Sequence, residues 1–536
     1  MDTLDIKQLI VIEDFINGQN IFMSGPAGTG KTHLIKILQN LSNELHKNCQ
    51  VTALTGCAAL LLDCNAKTLH SWSGVGITNQ DNITYYINKI QKNKKTIYWK
   101  EIDVLIVDEI SMLSKKLFNL LDLIAKRIRK NDKPFGGIQL IFSGDFYQLP
   151  PVSKDNGDDS LFCFESENWS LTFPNIHILT KIFRQKNKEF TKILNNIRVG
   201  KITKSTVELL NKRIIPYEKT DSIIPTILLP HRSSVDSINN KEHNLLPKSK
   251  TKIFNINIIQ PSDEDKHKNE ISNTEIKYAI ESINKSNGPI EIKVGDQVIC
   301  TYNISDQIVN GSRGIVTDIL DYPMVKFLSG EEIIIKPIDI RNENVPGLFY
   351  KKVPLDYAWA LTIHKCQGMT LDLCIMDIGP KIFAVGQTYV SLSRVKSLEG
   401  LYLINFDPYK IKVSSKVKRF YEQYDSIILT KDEKIIEKKR IIEFINIKLE
   451  ENKHIIIIKK VDLINNELLN KLKEYRLEKS KEINKPCYCI LKDDILNIIS
   501  TTIPKDEDEL LSIKGIGEKK LESYGKDILS IIETIK

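Results

Sequence analysis

Three groups of residues have the types and spacing for phosphate chemistry. Gly25-Pro26-Ala27-Gly28-Thr29-Gly30-Lys31-Thr32 is a complete G-x-x-x-x-G-K-T. Its glycines let backbone N–H groups converge on phosphate oxygens. Lys31 brings a point charge to the β- and γ-phosphates, and the Thr32 hydroxyl can ligate Mg²⁺. Asp108-Glu109 is an acidic pair that can divide two tasks. Asp108 would hold Mg²⁺ through its water shell; Glu109 would orient and deprotonate an attacking water. Gln148 carries an amide that can hold that water or report a γ-phosphate. The chemistry these residues share is ATP hydrolysis with Mg²⁺. The bland alternatives are a helix N-cap for the acidic pair and a polar loop role for Gln148.

The elements needed to position them are legible. Ile21-Phe22-Met23-Ser24 is a short apolar strand before the glycine-rich loop, and His33 to Leu41 is helix-like. Val104 to Val107 is a second buried strand, ending at the acidic pair. Ile138 to Phe142 is a third; Gly144-Asp145 and a loop with Gln148 and two prolines follow it. Apolar strands of this kind belong in parallel sheets, whose C-terminal ends face the ligand. The fold class is therefore α/β.

At 536 residues several domains are expected. With 41% hydrophobic and 27% charged residues, the composition is that of a soluble globular protein. No apolar run reaches the ~18 residues of a membrane span. Met1 to Gln8 does not read as a signal or transit peptide. A net charge of +8 is compatible with a polyanionic partner. Nine cysteines lack pairing logic; Cys57, Cys64, Cys366 and Cys374 lie in apolar or motif segments, which suits a reducing compartment. The expected location is intracellular: nucleus, cytoplasm or a viral replication site. Cys487 and Cys489 form a lone C-x-C, read as core positions before a metal site.

The motifs sit inside longer wordings. LLDLIAKRIRKNDK runs into PFGGIQLIFSGDFYQLPPV, Leu120 to Val152. Further along come FTKILNNIRVG, LLPHRSSVDSIN, VGDQVICTYNISDQIVNGSRGIV, ALTIHKCQGMTL and YVSLSRVKSLEGL. From about Leu4 to Tyr421 the chain resembles the PIF (petite integration frequency) DNA helicases, in the family's order. The resemblance implies two RecA-like P-loop motor domains with small inserted subdomains, and 5′-to-3′ movement on single-stranded DNA. It implies an adenine-reading role for Gln8, and arginines at Arg184 and Arg394 that stabilise charge on the γ-phosphate. It further implies DNA contacts from Thr55, His70 and Ser71 in the first motor domain. His364, Gln367, Gln387, Tyr389 and Ser391 would supply them in the second. For each Arg or His, a surface ion pair or a satisfied core position is the bland alternative.

The implied division is 1–180 for the first motor domain, with a wedge subdomain at about 73–100. A second motor domain, 181–410, would hold a small SH3-like β-barrel at about 250–355; 411–462 would be a charged helical linker. Tyr85, Tyr86, Tyr98 and Trp99 of the wedge could stack on bases, though core packing is the commoner role. Met324 to Leu328 and Glu332 to Ile335 flank Ser329-Gly330, a hairpin signal, and Ser262 to Asn287 reads as an extended polar loop. Residues 463–536 resemble the all-helical HRDC (helicase and RNase D, C-terminal) domain, with Ile513-Lys514-Gly515-Ile516-Gly517 as a helix–turn–helix. Its backbone N–H groups, with Lys514, Lys519 and Lys520, could meet phosphate; a purely structural turn or protein docking is the alternative. Expected partners are single-stranded, forked or structured DNA, with RNA–DNA hybrid a further substrate, acted on by a monomeric motor. The rival readings are a RecD-like repair subunit and a DNA-bound scaffold whose ATP only gates binding.

Overall fold

The computed structural model describes residues 4–534 apart from 63, 77–81, 152–159, 186, 218–224, 249, 264–265, 267–271, 287, 303, 306–307, 309–310, 343–344, 346, 372, 425–430, 460–465 and 484–485. The chain divides into two compact units, Met1–Ile445 and Asn446–Lys536.

The first unit opens with helix α1 (Ile6–Ile16). Its strands are β1 (Ile21–Ser24), β2 (Cys49–Ala53), β3 (Lys67–Thr68), β4 (Val104–Asp108), β5 (Gln139–Gly144) and β6 (Asn175–Ile178). They form one parallel sheet in the order β3-β2-β4-β5-β1-β6. β1, β4 and β5 are buried along their whole length, as strands covered on both faces must be. Register places Ile21 beside Ile141 and Val104 beside Gln139, so the C-terminal ends of all three lie at one edge. That edge is where the phosphate-binding loop and the acidic pair emerge.

The PFGG turn before β5 has a packing cause. Gly136 is left-handed (φ 62°), and a Cβ there would lie 2.7 Å from the Ala125 carbonyl oxygen. Buried Asp122 accepts the Phe135 N–H at 2.7 Å, and Arg129 Nε donates to the Gly136 carbonyl at 2.8 Å. The turn thereby locks the helix Lys115–Arg129 to the start of β5. In the segment expected to form the wedge, Tyr86 and Trp99 are buried, with Trp99 Nε1 donating to the Ser73 carbonyl; Tyr85 and Tyr98 are exposed.

β7 (Thr226–Leu229) begins a second parallel sheet, interrupted by a long insertion. The insertion holds β8 (Thr251–Phe254), β9 (Asn257–Ile259), β10 (Ile290–Lys293), β11 (Gln297–Cys300), β12 (Arg313–Ile319), β13 (Pro323–Phe327), β14 (Glu332–Ile334), β15 (Ile338–Arg341), β16 (Phe349–Lys352) and β17 (Leu355–Tyr357). β18 (Ala360–Thr362), β19 (Cys374–Ile378) and β20 (Leu401–Phe406) then complete the sheet in the order β18-β7-β19-β20. Among the described residues the inserted strands form open antiparallel sheets, the largest ordered β14-β13-β12-β11-β17, and no closed barrel. The hairpin expected around Gly330 is present, with Val325 paired to Ile333.

Two expectations are corrected here. Ser262 to Asn287 is not an extended loop throughout: Asn273–Ser286 is a helix. Ile276, Ala279, Ile280 and Ile283 recur at helical spacing and pack with Val345, Leu348 and Tyr350; the surrounding charges hid that stripe. The linker also begins later than 411. Helix Ser415–Glu422 buries Val417 and Phe420 in the same core as Phe22 and Trp169. Only the following helix, Lys431–Lys459, is charge-laced, and its Arg440 forms a bidentate ion pair with Glu13 of α1.

In the second unit, helices Asn466–Glu482, Asp493–Thr502, Glu507–Leu511 and Lys526–Glu533 close around Leu472, Leu496, Ile499, Leu510 and Ile528. Gly515 is left-handed (φ 107°), and a Cβ there would meet Ile495 Cδ1 at 2.7 Å. The left-handed backbone therefore favours glycine at this turn, whatever else the turn does. Cys489 is exposed and Cys487 half-buried, which corrects their reading as core positions. Among the described residues no cluster of His, Cys, Asp or Glu could hold a metal, and no helix is long and apolar enough to cross a membrane.

Candidate active site

The phosphate-binding loop joins β1 to helix α2 (Lys31–Glu44). Gly28 and Gly30 are left-handed, at φ 84° and 83°. Space is short there as well, most firmly at Gly28. A Cβ on Gly28 would lie 2.6 Å from Arg184 Cβ, and one on Gly30 would lie 2.8 Å from Gln8 Nε2. Lys31 Nζ donates to the Gly25 and Pro26 carbonyls at 2.6 and 3.1 Å, which curls the loop around its ammonium. Burial lowers the Lys31 pKa, opposed by Asp145, Glu109 and Asp108. Thr29 is buried and donates to the Pro26 carbonyl; Thr32 is exposed at the first turn of α2.

Asp108 ends β4. Its carboxyl is pushed up to about 6, chiefly by burial and then by the charge of Glu109; the Ser143 hydroxyl donating to Oδ1 at 2.7 Å opposes this. Glu109 is left-handed (φ 55°, ψ 41°), a strained backbone for a non-glycine residue. The strain turns the chain sharply off the strand. Gly144 makes room for it, since a Cβ there would meet the Ile110 nitrogen at 2.9 Å. Glu109 Oε2 accepts a hydrogen bond from Gln367 Nε2 at 3.0 Å.

Gln148 is buried, and its Oε1 has no hydrogen-bond partner among the described residues. A buried orphan acceptor beside a phosphate loop is costly unless a ligand or water meets it. A Cβ on Gly386 would lie 2.5 Å from the Gln148 carbonyl oxygen, so the segment before Gln387 packs directly on this loop.

Arg184 Nη1 donates to the Ser393 carbonyl at 3.2 Å. Burial, then the charge of Arg394, takes its pKa down to about 10. Arg394 is buried and held by the Val390 and Met369 carbonyls and the Ser393 hydroxyl. Neither arginine is ion-paired to a carboxylate among the described residues. Two fixed guanidinium groups this close repel, and an anion between them would relieve the repulsion.

Gln8 completes a capping box on α1: its Oε1 accepts from Asp5 N at 3.0 Å, and its Nε2 lies 3.4 Å from the Thr29 carbonyl. It braces the loop from behind. Gln387, Tyr389 and Ser391, expected at the DNA, are all buried. Tyr389 Oη instead accepts the Ala27 N–H of the phosphate loop at 2.9 Å. Ser391 donates to the Gln387 carbonyl, and Gln387 Oε1 accepts from the Phe383 and Ala384 N–H groups. These segments are helical (Gln387–Leu392), so alternate residues do not share one exposed face. Thr55, His70, Ser71 and His364 are half-buried. Thr55 Oγ1 accepts from Ala58 N, and His364 lies against Phe383.

The sequence motifs gave no notice of one constellation. Asp145, fully buried, forms a bidentate ion pair with Arg198 at 2.8 and 2.9 Å. The Arg198 guanidinium lies over the Tyr147 ring at 4.5 Å, and Tyr147 stacks on Tyr421. Tyr421 Oη accepts the Phe146 N–H at 3.1 Å and meets Ser24 Oγ at 2.5 Å. The arginine in FTKILNNIRVG was the available signal. Phe183, 44% exposed, flanks Gly30 and presents a flat face beside the loop.

The residues present suit a nucleoside triphosphate with Mg²⁺. Left-handed glycines shape the cradle, one lysine reaches into it, and Thr32 and Asp108 offer oxygens that could hold Mg²⁺, Asp108 through the metal's water shell. Residues 5–208 match the family described as PIF1-like helicase, and 465–532 match the HRDC domain. The ATP-dependent DNA helicase PIF1 of Danio rerio is 34% identical over 428 residues, covering 78% of this chain and 64% of that protein. The crystal structure of Pif1 helicase from Candida albicans superposes with a TM-score of 0.68 at 35% identity, over 79% of this chain and 100% of that one. Bacteroides Pif1 bound to single-stranded DNA gives a TM-score of 0.57 at 28% identity, over 79% and 97%.

Proposed function

The chain belongs to the PIF1-like helicase family, and from that premise we propose that it is an ATP-dependent helicase moving 5′ to 3′ on single-stranded DNA. The observation that carries the proposal is the hydrogen bond from Gln367 to Glu109, a direct link between the segment expected at the strand and the residue expected to activate water.

In this reading the backbone N–H groups of the glycine-rich loop and Lys31 bind the phosphates. Thr32, and Asp108 through the water shell, would hold Mg²⁺, which would supply positive charge to the phosphate oxygens. Glu109 takes the proton of the attacking water, and buried Gln148 orients that water. Arg184, in the segment that joins the two sheets, and Arg394, after the helix Gln387–Leu392, meet the γ-phosphate, so its loss loosens the contact between the two sheets. Alternating closure and opening, with Thr55, His70 and Ser71 on one side and His364 on the other, steps the motor along the strand.

We read the two parallel sheets as the two RecA-like motor domains, and the antiparallel sheet built on β11 to β14 as the small SH3-like barrel of the second. The HRDC domain would tune the grip on forked or structured DNA. Roles in replication, repair and recombination fit such a motor. Strand separation measured apart from DNA-stimulated ATP hydrolysis tests the proposal, on duplexes with either a 5′ or a 3′ single-stranded tail. Hydrolysis without separation would mark a scaffold instead.

A further inference from the structure

Tyr389, on the helix Gln387–Leu392 between β19 and β20, is only 2% exposed. Its hydroxyl reaches the phosphate loop, where Oη accepts the Ala27 N–H at 2.9 Å. A phenol hydroxyl can accept and donate at once. Burial, then the charge of Asp145, holds it well above the usual phenol range, so it keeps its hydrogen. Among the described residues Ala27 is its one hydrogen-bond partner, and that hydrogen has no acceptor. A buried donor left this way is costly unless a ligand or water meets it.

The surroundings select the ligand. Arg394 follows the same helix, and its charge acts on the Tyr389 hydroxyl; Tyr389 in turn acts on Arg184. These two guanidinium groups need an anion and the hydroxyl needs an acceptor, all in one place. A phosphate oxygen meets both needs. Ala27 is the third residue of Gly25-Pro26-Ala27-Gly28-Thr29-Gly30-Lys31-Thr32. It precedes the N–H groups that open α2, which cradle the α- and β-phosphates. The group that comes to lie between Ala27 and the two arginines is therefore the terminal phosphate.

We propose that the Tyr389 hydroxyl donates to an oxygen of the γ-phosphate while accepting from Ala27, and so distinguishes a bound triphosphate from a diphosphate. The proposal rests on the ATP-driven helicase reading and deepens it. The two arginines answer to charge, which a diphosphate also carries. A hydroxyl fixed by Ala27 answers to position. With ADP its hydrogen finds no phosphate oxygen; with ATP it ties the nucleotide to the helix of the second sheet.

The test compares affinity for ADP with affinity for AMP-PNP, a triphosphate analogue that resists hydrolysis. The full chain is used with Mg²⁺, and binding is read by displacement of a fluorescent nucleotide. Tyr389→Phe removes one oxygen and keeps the ring in the core. It should weaken AMP-PNP binding by about 10- to 100-fold, the worth of a hydrogen bond to a charged group, and leave ADP binding within about threefold. Retained ADP affinity also shows that the variant folds. Loss of the Ala27 contact alone would act on both nucleotides alike. An equal loss on both, or unchanged AMP-PNP affinity, therefore overturns the proposal and leaves the helicase reading standing. Failure of the unsubstituted chain to bind either nucleotide overturns both.

Discussion

Gln367 Nε2 and Glu109 Oε2 are 3.0 Å apart, so a side chain of ALTIHKCQGMTL holds the carboxylate that stands beside the phosphate loop. A carboxylate so engaged has one oxygen fewer with which to take a proton from water. Any rearrangement of the Gln367 segment on a strand would release it. Gln367→Ala should therefore raise ATP turnover without DNA by about tenfold, the equivalent of one charge-assisted hydrogen bond of ~1.5 kcal/mol. It should also shrink the stimulation by DNA. Steady-state ATPase with and without oligo(dT) reads both; an unchanged unstimulated rate would show that the bond does not restrain Glu109.

Lys31→Ala should abolish ATP turnover, because the loop then lacks its only side-chain cation for the β- and γ-phosphates. Glu109→Gln should keep ATP binding and lose hydrolysis, at a cost of ~3 kcal/mol or more, about a hundredfold in rate. Nucleotide binding by fluorescence and turnover by phosphate release separate the two steps. Wild-type hydrolysis in Glu109→Gln would assign the base to another residue.

Arg394→Ala should remove DNA-stimulated hydrolysis while leaving ATP affinity within a few-fold. The guanidinium is fixed by three acceptors and has no carboxylate partner among the described residues, which is the setting of a group waiting for an anion. A full stimulated rate in the variant would return Arg394 to a structural role.

Arg198→Ala would leave buried Asp145 without its counter-ion, with only the Tyr147 N–H among the described residues still donating to it. Removing one partner of a buried ion pair costs about 3–5 kcal/mol. Urea unfolding monitored by tryptophan fluorescence should show a loss of that size. A loss under ~1 kcal/mol would mean that water reaches Asp145, and that the pair is not the clamp it resembles.

Deleting 462–536 should leave DNA-stimulated ATPase intact and weaken binding to forked DNA. If the HRDC turn meets phosphates, the log–log salt slope should also fall by about 0.7 for each single-strand phosphate that the truncated chain no longer neutralises. Loss of ATPase in a well-folded truncation would show the domain to be part of the motor.

The ATP chemistry was legible because it depends on local wording. A strand, a glycine-rich loop and a helix follow one another within Ile21 to Glu44, and Asp108-Glu109 ends a strand that reads as buried. The features that were not legible depend on distant partners. Gly144 looks in sequence like a strand terminus, yet it makes room for the strained Glu109–Ile110 turn. Asp5-x-x-Gln8 is a local capping signal that the reading of Gln8 as an adenine contact left unused. Tyr389 sits in a motif associated with DNA, but its hydroxyl meets Ala27, 362 residues earlier. The helix Asn273–Ser286 was hidden because its four apolar positions are diluted among charges.

Tyr421 touches Ser24 at the end of β1 and the backbone of Phe146, although it lies near the close of the first compact unit. The helix Ser415–Glu422 is therefore a keystone set against the first catalytic strand, and the motor is complete only when synthesis has passed it. A nascent chain halted before Ser415 would carry every phosphate-handling residue and still lack the wedge that seats them. Grafts of foreign tail modules should accordingly be tolerated beyond Ile445 and fail within this helix, which marks the natural seam for exchanging the appendage of such a motor.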